Sequence, residues 1–378
     1  MRDVLDLLRR VPTPKAMLTV TAAARDTAGP VGPWPTAALF RSVAQERSGF
    51  PVMGLVVSSV TETWRLAEYV HEEAADVTEC DVFRDETSRS VAEWVDPAPA
   101  PAAAILRGSV VVATGGARGI TAAICRELAR RGAVLELCGT SERTRAEDAK
   151  RTSGDDKRAY VSERHRIAGP GVHVRGVERE WQLVKKRREV TNALLELERG
   201  GADAHYEVVD MRDPGATRRW LDRVVARRGK IDFILHGAGV LNDGIVDTKT
   251  METVRPVLDT KLGSLRTLRD VARRQAAHFV AFSSVAAVFG SPGQSDYAAA
   301  NEFMAHQTLT SEAHGRALVI AWGAWRNLGM TAGSITDRMS ARRVALLEPE
   351  QATLACVHEL EHGTTGHVMI SGEKHESA

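Results

Sequence analysis

The chain has 378 residues, 43% of them apolar and 26% charged, with 50 Lys and Arg against 49 Asp and Glu. That length accommodates two domains, and a net charge of +1 excludes a whole-chain field for nucleic acid or a membrane surface. With no run of 18 uncharged apolar residues, no transmembrane helix is expected.

Residues 1–10 mix both charge signs every few positions and predict an amphipathic helix rather than a secretory signal. Met17-Leu18-Thr19-Val20 and residues 52–57 are short β-rich runs, whereas residues 36–44 and 62–72 have helical spacing. This alternation predicts a small parallel α/β sheet. None of its turns is glycine-rich, so a structural role is expected for it, without cofactor. Pro97-Ala98-Pro99-Ala100-Pro101-Ala102 then opens a stiff linker. It divides the chain into residues 1–104 and residues 105–378.

The second part repeats the alternation more strongly. Strands are predicted at residues 110–113, 135–138, 205–209, 231–235, 278–282, 317–320 and 368–370, with helical stretches between them. The pattern is that of an α/β, doubly wound parallel Rossmann-type sheet. Residues 141–188 interrupt it. They are polar and rich in Arg, Lys, Glu and Asp, and predict a mobile insertion with one helix near 178–186, before a helix at 189–198. Its basic excess suits either a solvated loop or a dock for an acidic carrier protein. Cys80, Cys125, Cys138 and Cys356 form no close pair, which disfavours a zinc site or a disulfide framework and fits a reducing cytoplasm.

Chemistry enters after the first of these strands, where Thr114-Gly115-Gly116-Ala117-Arg118-Gly119-Ile120 leads into a helix. Glycines let a backbone turn tightly against a pyrophosphate, and the helix start offers it free N–H groups. Thr121 holds the third glycine position and is placed to cap the helix. At the end of the second strand, Gly139-Thr140-Ser141 supplies no acid for ribose hydroxyls. Arg118 and Arg143 nearby suit a 2′-phosphate, so NADPH is expected, with Glu142 weighing against it. Asp210, beside Met211, is placed to accept from an adenine amino group or to cap a helix. His236-Gly237-Ala238-Gly239 keeps the next turn small enough for a ribose.

Reduction of a ketone needs a proton donor at the developing alkoxide. Tyr297 and Ser284 are spaced to converge there. A phenol titrates near ~10, so a neighbouring cation is expected. The residue four after Tyr297 is Asn301 and carries no charge; Lys261, on another helix, is the candidate. Asn301 would hold the lysine ammonium or a relay water.

Residues 109 to about 331 resemble the ketoreductase domain of type I polyketide synthases and of polyunsaturated fatty acid synthases. The resemblance rests on the Thr114 motif, His236 to Gly239, Lys261, Phe282-Ser283-Ser284, the run from Gly293 to Asn301, and Trp322-Gly323-Ala324-Trp325. It implies Ser284, Tyr297, Lys261 and Asn301 as the catalytic set, since that family exchanges the Lys and Asn positions of other short-chain dehydrogenases. It also implies reduction of a β-ketoacyl thioester on an acyl carrier protein, among other synthase domains. The first part is similar to that family's cofactor-free structural subdomain, with residues 38–46 as its characteristic helix. Leu241-Asn242-Asp243 resembles the family's Leu-Asp-Asp motif for D-alcohols, and Phe289 stands where the opposite type carries Trp. Residues 327–343 are expected to form a lid, with Met330 and Thr331 touching nicotinamide or substrate. Two other functions fit the pattern less well: a reductase of free small ketones, and a non-catalytic scaffold.

Overall fold

The computed structural model describes residues 16–372 except 24–35, 48, 59–60, 76, 78–80, 86–87, 92, 96–106, 150–154, 169–173, 310–314, 330–344 and 364–365. The predicted segments at 1–10 and 97–104, and Cys80, Met330 and Thr331, lie wholly or largely outside the described residues.

Two sheets form. The smaller runs β1 (Met17–Ala23), β2 (Val52–Ser58), β3 (Asp81–Arg84) and β4 (Arg89–Val91), in that spatial order, with helices α1 (Ala37–Glu46) and α2 (Thr63–Ala75) between strands. β1, β2 and β3 pair in parallel as expected, but β4 returns antiparallel to β3. The last two strands were not predicted. They are four and three residues long, and β4 is exposed throughout, so neither shows an apolar alternation.

The larger sheet has seven parallel strands in the order β7-β6-β5-β8-β9-β10-β11. They are β5 (Val110–Thr114), β6 (Val134–Gly139), β7 (Ala204–Val208), β8 (Phe233–His236), β9 (His278–Ser284), β10 (Ala317–Trp322) and β11 (Gly366–Ile370). Four of the five β5 residues are β-branched and all five are buried, as a strand covered on both faces requires. Val111 and Ala113 pack to one face with Ile124, Leu128, Leu194 and Cys356. Val110 and Val112 pack to the other with Trp220, Leu268 and Met304. The order reverses at the junction of β5 and β8, where a doubly wound sheet opens a crevice at its carboxyl ends.

Along this part, α3 (Gly119–Arg130) follows β5. The insertion carries α4 (Ala146–Ala149), α5 (Asp155–Ala168) and α6 (Val174–Arg199). Then come α7 (Pro214–Arg228), α8 (Met251–Leu262), α9 (Leu265–Gln275), α10 (Ala286–Phe289), α11 (Ser295–Leu309) and α12 (Pro349–His362). The insertion is therefore mostly helical, not the loop expected. No Gly or Pro stands between residues 176 and 200, so α6 runs unbroken through both predicted helices. It buries Val177, Trp181, Val190, Leu194 and Leu197 at helical spacing. Three of its basic side chains are matched from within: Arg164 pairs with Glu180, Arg166 with Glu163 at 2.6 Å and Arg187 with Glu142 at 3.2 Å.

Helix α1 joins the two sheets. Leu39, Phe40, Val43 and Ala44 share one apolar cluster with Val246, Val254 and Ala299 of the larger part. Buried Arg41 meets Asp81 at 2.7 Å and donates to the Val288 carbonyl at 2.8 Å. Glu302 of α11 reaches back to accept the Ala38 amide at 3.2 Å, at the start of α1. Burial holds the Glu302 carboxyl well above the usual carboxylate range. Gly290 shows how close the parts lie: a Cβ there would stand 2.7 Å from the Arg41 backbone, and its φ is +78°.

Among the described residues, no helix is long and apolar enough to cross a membrane. Cys125, Cys138 and Cys356 are buried and free.

Candidate active site

The glycine-rich turn closes the carboxyl end of β5. Gly115 has φ +71°, and a Cβ on it would come within 3.3 Å of Ala238. At Gly116 a Cβ would stand 2.7 Å from Leu137 and 2.9 Å from the Ala113 carbonyl, and at Gly237 one would strike Thr121 Oγ1 at 2.2 Å. Two backbones thus approach as only glycine permits. No side chain caps α3; its N-cap is Arg118. Thr121 is therefore not the expected cap: it lies inside the helix, packed on Gly237. Open amides above a cradle with no Cβ atoms fit a pyrophosphate.

The basic residues expected at a 2′-phosphate are engaged by acids of α6. Arg118 pairs with Glu189 at 2.7 Å, and Arg143 with Glu198. Glu142 is held by Arg187. Thr140 is exposed at the strand end between them. Asp210 lies beyond β7 and is gripped by Arg212, whose side chain holds the carboxyl below its usual range. It caps no helix; Asp213 does, for α7. Met211 is buried in the core with Trp220 and Leu265.

His236 is fully buried at the end of β8. Its Nε2 lies 2.8 Å from the Lys261 carbonyl, which can only accept, so Nε2 carries the proton. Nδ1 then accepts from Thr114 Oγ1 at 2.8 Å, while that oxygen accepts the Ala238 amide at 3.1 Å. Burial, with the Lys261 charge nearby, lowers the imidazole to about 4, which keeps it neutral. Gly239 follows at the mouth of the turn, half-buried.

Three of the four expected catalytic residues, Ser284, Tyr297 and Asn301, converge. Ser284 ends β9, and its Oγ accepts the Ala286 amide at 3.1 Å. Tyr297 lies in the first turn of α11, half-buried against Ala38, Ala286 and Ala298. Burial pushes its hydroxyl upward, while the side chains of Asn301 and Ser284 pull it back down. Lys261, 3% exposed, donates from Nζ to the Phe282 carbonyl at 2.6 Å. One expectation is corrected here. Asn301 does not hold the lysine: its Nδ2 donates to the Tyr297 carbonyl at 2.8 Å, and its buried Oδ1 has no partner. Lys261 is occupied instead by β9, at a carbonyl two residues before Ser284.

Burial lowers Lys261 from 10.5 to about 7. Above that pH the unfolded lysine keeps a proton that the folded one has released. Stability should therefore rise with pH from about 7, by up to about 1.4 kcal/mol per unit, and level off near 10.5. Below about 7 both states are charged and the contribution is flat. Urea unfolding at pH 7, 8 and 9 reads this, and Lys261→Met should flatten the rise.

The remaining predicted residues form the rim. Leu241 is half-buried, and Asn242 and Asp243 are exposed. Asp243 accepts from Gln294 at 3.2 Å, and the Gly244 amide donates to the Gly293 carbonyl at 3.0 Å, so this loop adjoins the start of α11. Phe289 is exposed on the segment between Ser284 and Tyr297. Trp322 and Trp325 are core aromatics in edge contact at 5.1 Å. Sequence patterns missed a buried ion pair beneath the rim: Lys249 meets Asp296 at 2.7 Å, both 2% exposed, and donates to the Asn242 carbonyl at 2.9 Å.

A family model described as the KR domain matches residues 108–327. The chain belongs to the ketoreductase (KR) domain family of polyketide synthases. Its relatives include a phenolphthiocerol synthesis polyketide synthase of Mycobacterium marinum, 33% identical over 42% of this chain and 8% of that protein. A polyunsaturated fatty acid synthase chain of Thraustochytrium sp. is 29% identical over 66% of this chain and 9% of that protein. The KR chain thus spans under a tenth of either synthase. A ketoreductase domain from the bacillaene assembly line shares the fold at TM-score 0.73 and 21% identity, covering 98% of this chain and 82% of that one. A short-chain dehydrogenase from Burkholderia cenocepacia in complex with NADP aligns at TM-score 0.53 and 19% identity, covering 71% and 98%.

Proposed function

We propose that this KR domain reduces the β-ketone of an acyl thioester carried by an acyl carrier protein, with NADPH as reductant. The observation that carries the reading is the convergence of Ser284, Tyr297 and Asn301 at one crevice beside the buried Lys261, with lysine and asparagine in exchanged positions. Membership in the KR family supports ketone reduction. The chain's small share of its relatives supports a partner carrier and other synthase domains on a longer assembly.

In this reading NADPH, held by the Thr114–Ile120 turn and the 236–239 turn, supplies hydride when bound. Arg118 and Arg143 would hold the 2′-phosphate, and Asp210 and the Met211 backbone would border the adenine. Ser284 Oγ donates to the ketone oxygen and fixes its direction. Tyr297 gives its proton to the developing alkoxide. Its phenol is refilled through a water between Asn301 Oδ1 and Lys261. Leu241, Asn242, Asp243 and Phe289 border the acyl chain, and the outcome is the D-alcohol. Residues 105–378 do the chemistry, and residues 1–104 brace them.

The test is NADPH oxidation with β-ketoacyl thioesters on a carrier protein or pantetheine, against small cyclic ketones, with chiral analysis of the alcohols. Turnover of the thioesters and a D-product are expected. Preference for the cyclic ketones would replace the substrate assignment, and an L-product would sink the stereochemical one.

A further inference from the structure

Glu46, the last residue of α1, belongs to the smaller sheet's helix yet touches two loops of the catalytic part. Its Oε2 accepts the Val246 amide at 2.7 Å, and its Oε1 accepts the Gly293 amide at 2.8 Å. One carboxylate thus bridges the 240–249 loop and the segment between Ser284 and Tyr297. The bridge is not isolated. Gln45 donates to the Phe289 carbonyl at 2.6 Å, Ser42 Oγ accepts the Ser291 amide at 3.0 Å, and Arg47 meets Asp247 at 2.6 Å.

Both bridged loops carry exposed apolar side chains at the crevice rim: Val240 and Ile245 on one, Phe289 on the other. In the ketoreductase reading an acyl chain entering the crevice would pass between them. Their separation would then decide how the chain lies, and hence which face of the ketone is turned to the reductant. Each carboxylate oxygen serves a different loop, so the spacing of the loops follows from one rigid planar group.

We infer that Glu46 is a positioning residue that sets the spacing of the two substrate loops and thereby the stereochemical outcome of reduction. The inference rests on the ketoreductase reading above. Glutamine is the sharp probe: it keeps one acceptor and turns the other atom into a donor facing a donor. Losing one charge-assisted hydrogen bond corresponds to about a tenfold effect.

The experiment compares the full chain with Glu46→Gln and Glu46→Ala, using a β-ketobutyryl pantetheine thioester. The enantiomer ratio should fall about tenfold and KM should rise more than kcat falls. Exchange of the Val246 and Gly293 amides should quicken by about tenfold, while NADPH affinity stays within about twofold. Unchanged ratio, KM and amide exchange in Glu46→Gln would overturn the inference. So would a lowered Tm with the enantiomer ratio intact, which marks a merely structural residue. A wild-type chain that leaves the thioester unreduced would instead overturn the ketoreductase reading, and the role of Glu46 with it.

Discussion

Tyr297→Phe should lower kcat by about 10²- to 10⁴-fold, the usual contribution of a positioned proton donor, with NADPH affinity unchanged. The substitution removes one oxygen from a half-buried ring whose packing against Ala38, Ala286 and Ala298 does not involve it. The hydroxyl is the only group on that side chain able to give a proton to an alkoxide. Around it, Ser284 and Asn301 favour its ionised form against the burial that opposes it. Stopped-flow hydride transfer separates loss of chemistry from loss of binding. Turnover within about threefold of the parent would remove Tyr297 from the catalytic set.

The second large effect is on stability. Lys249→Met should cost about 3–5 kcal/mol, the penalty of breaking a buried ion pair by removing one partner. Lys249 and Asp296 are each 2% exposed, and Asp296 Oδ2 already has no partner. Burial raises the Asp296 carboxyl while Lys249 draws it down, so removing the lysine leaves a carboxylate that must protonate or unfold the loop. Chemical denaturation reads the loss. A companion variant, Lys249→Met with Asp296→Asn, should recover part of it, because the uncompensated charge has gone. Because Asp296 Oδ1 also accepts the Tyr297 amide at 2.9 Å, the single variant should slow turnover as well.

Much of this was legible in the sequence, for identifiable reasons. The five inner strands of the larger sheet are mainly apolar runs buried on both faces, and such runs carry their own signal. Of the proposed catalytic side chains, Ser284 ends a strand and Tyr297 opens a helix, within one compact motif. What escaped depends on distance along the chain. Lys249 and Asp296 are 47 residues apart, and Glu46 lies 200 and 247 residues from its two partners. No spacing rule links such residues. The insertion was misjudged because its polarity resembles a loop, whereas its lack of Gly and Pro and its buried Trp181 favour a helix. The lysine's true acceptor, the Phe282 carbonyl, is a backbone atom and has no sequence signature.

The seam between the two sheets bears on how this protein can be cut and recombined. A catalytic half severed from the first sheet would turn outward Glu302 and the apolar faces of Val246, Val254 and Ala299, while in its counterpart Arg41 would lose the Val288 carbonyl. The smallest portable module is therefore the pair of sheets together. A chimera that swaps reductases between assembly lines should place its upstream junction before β1, leaving the stretch between the sheets intact.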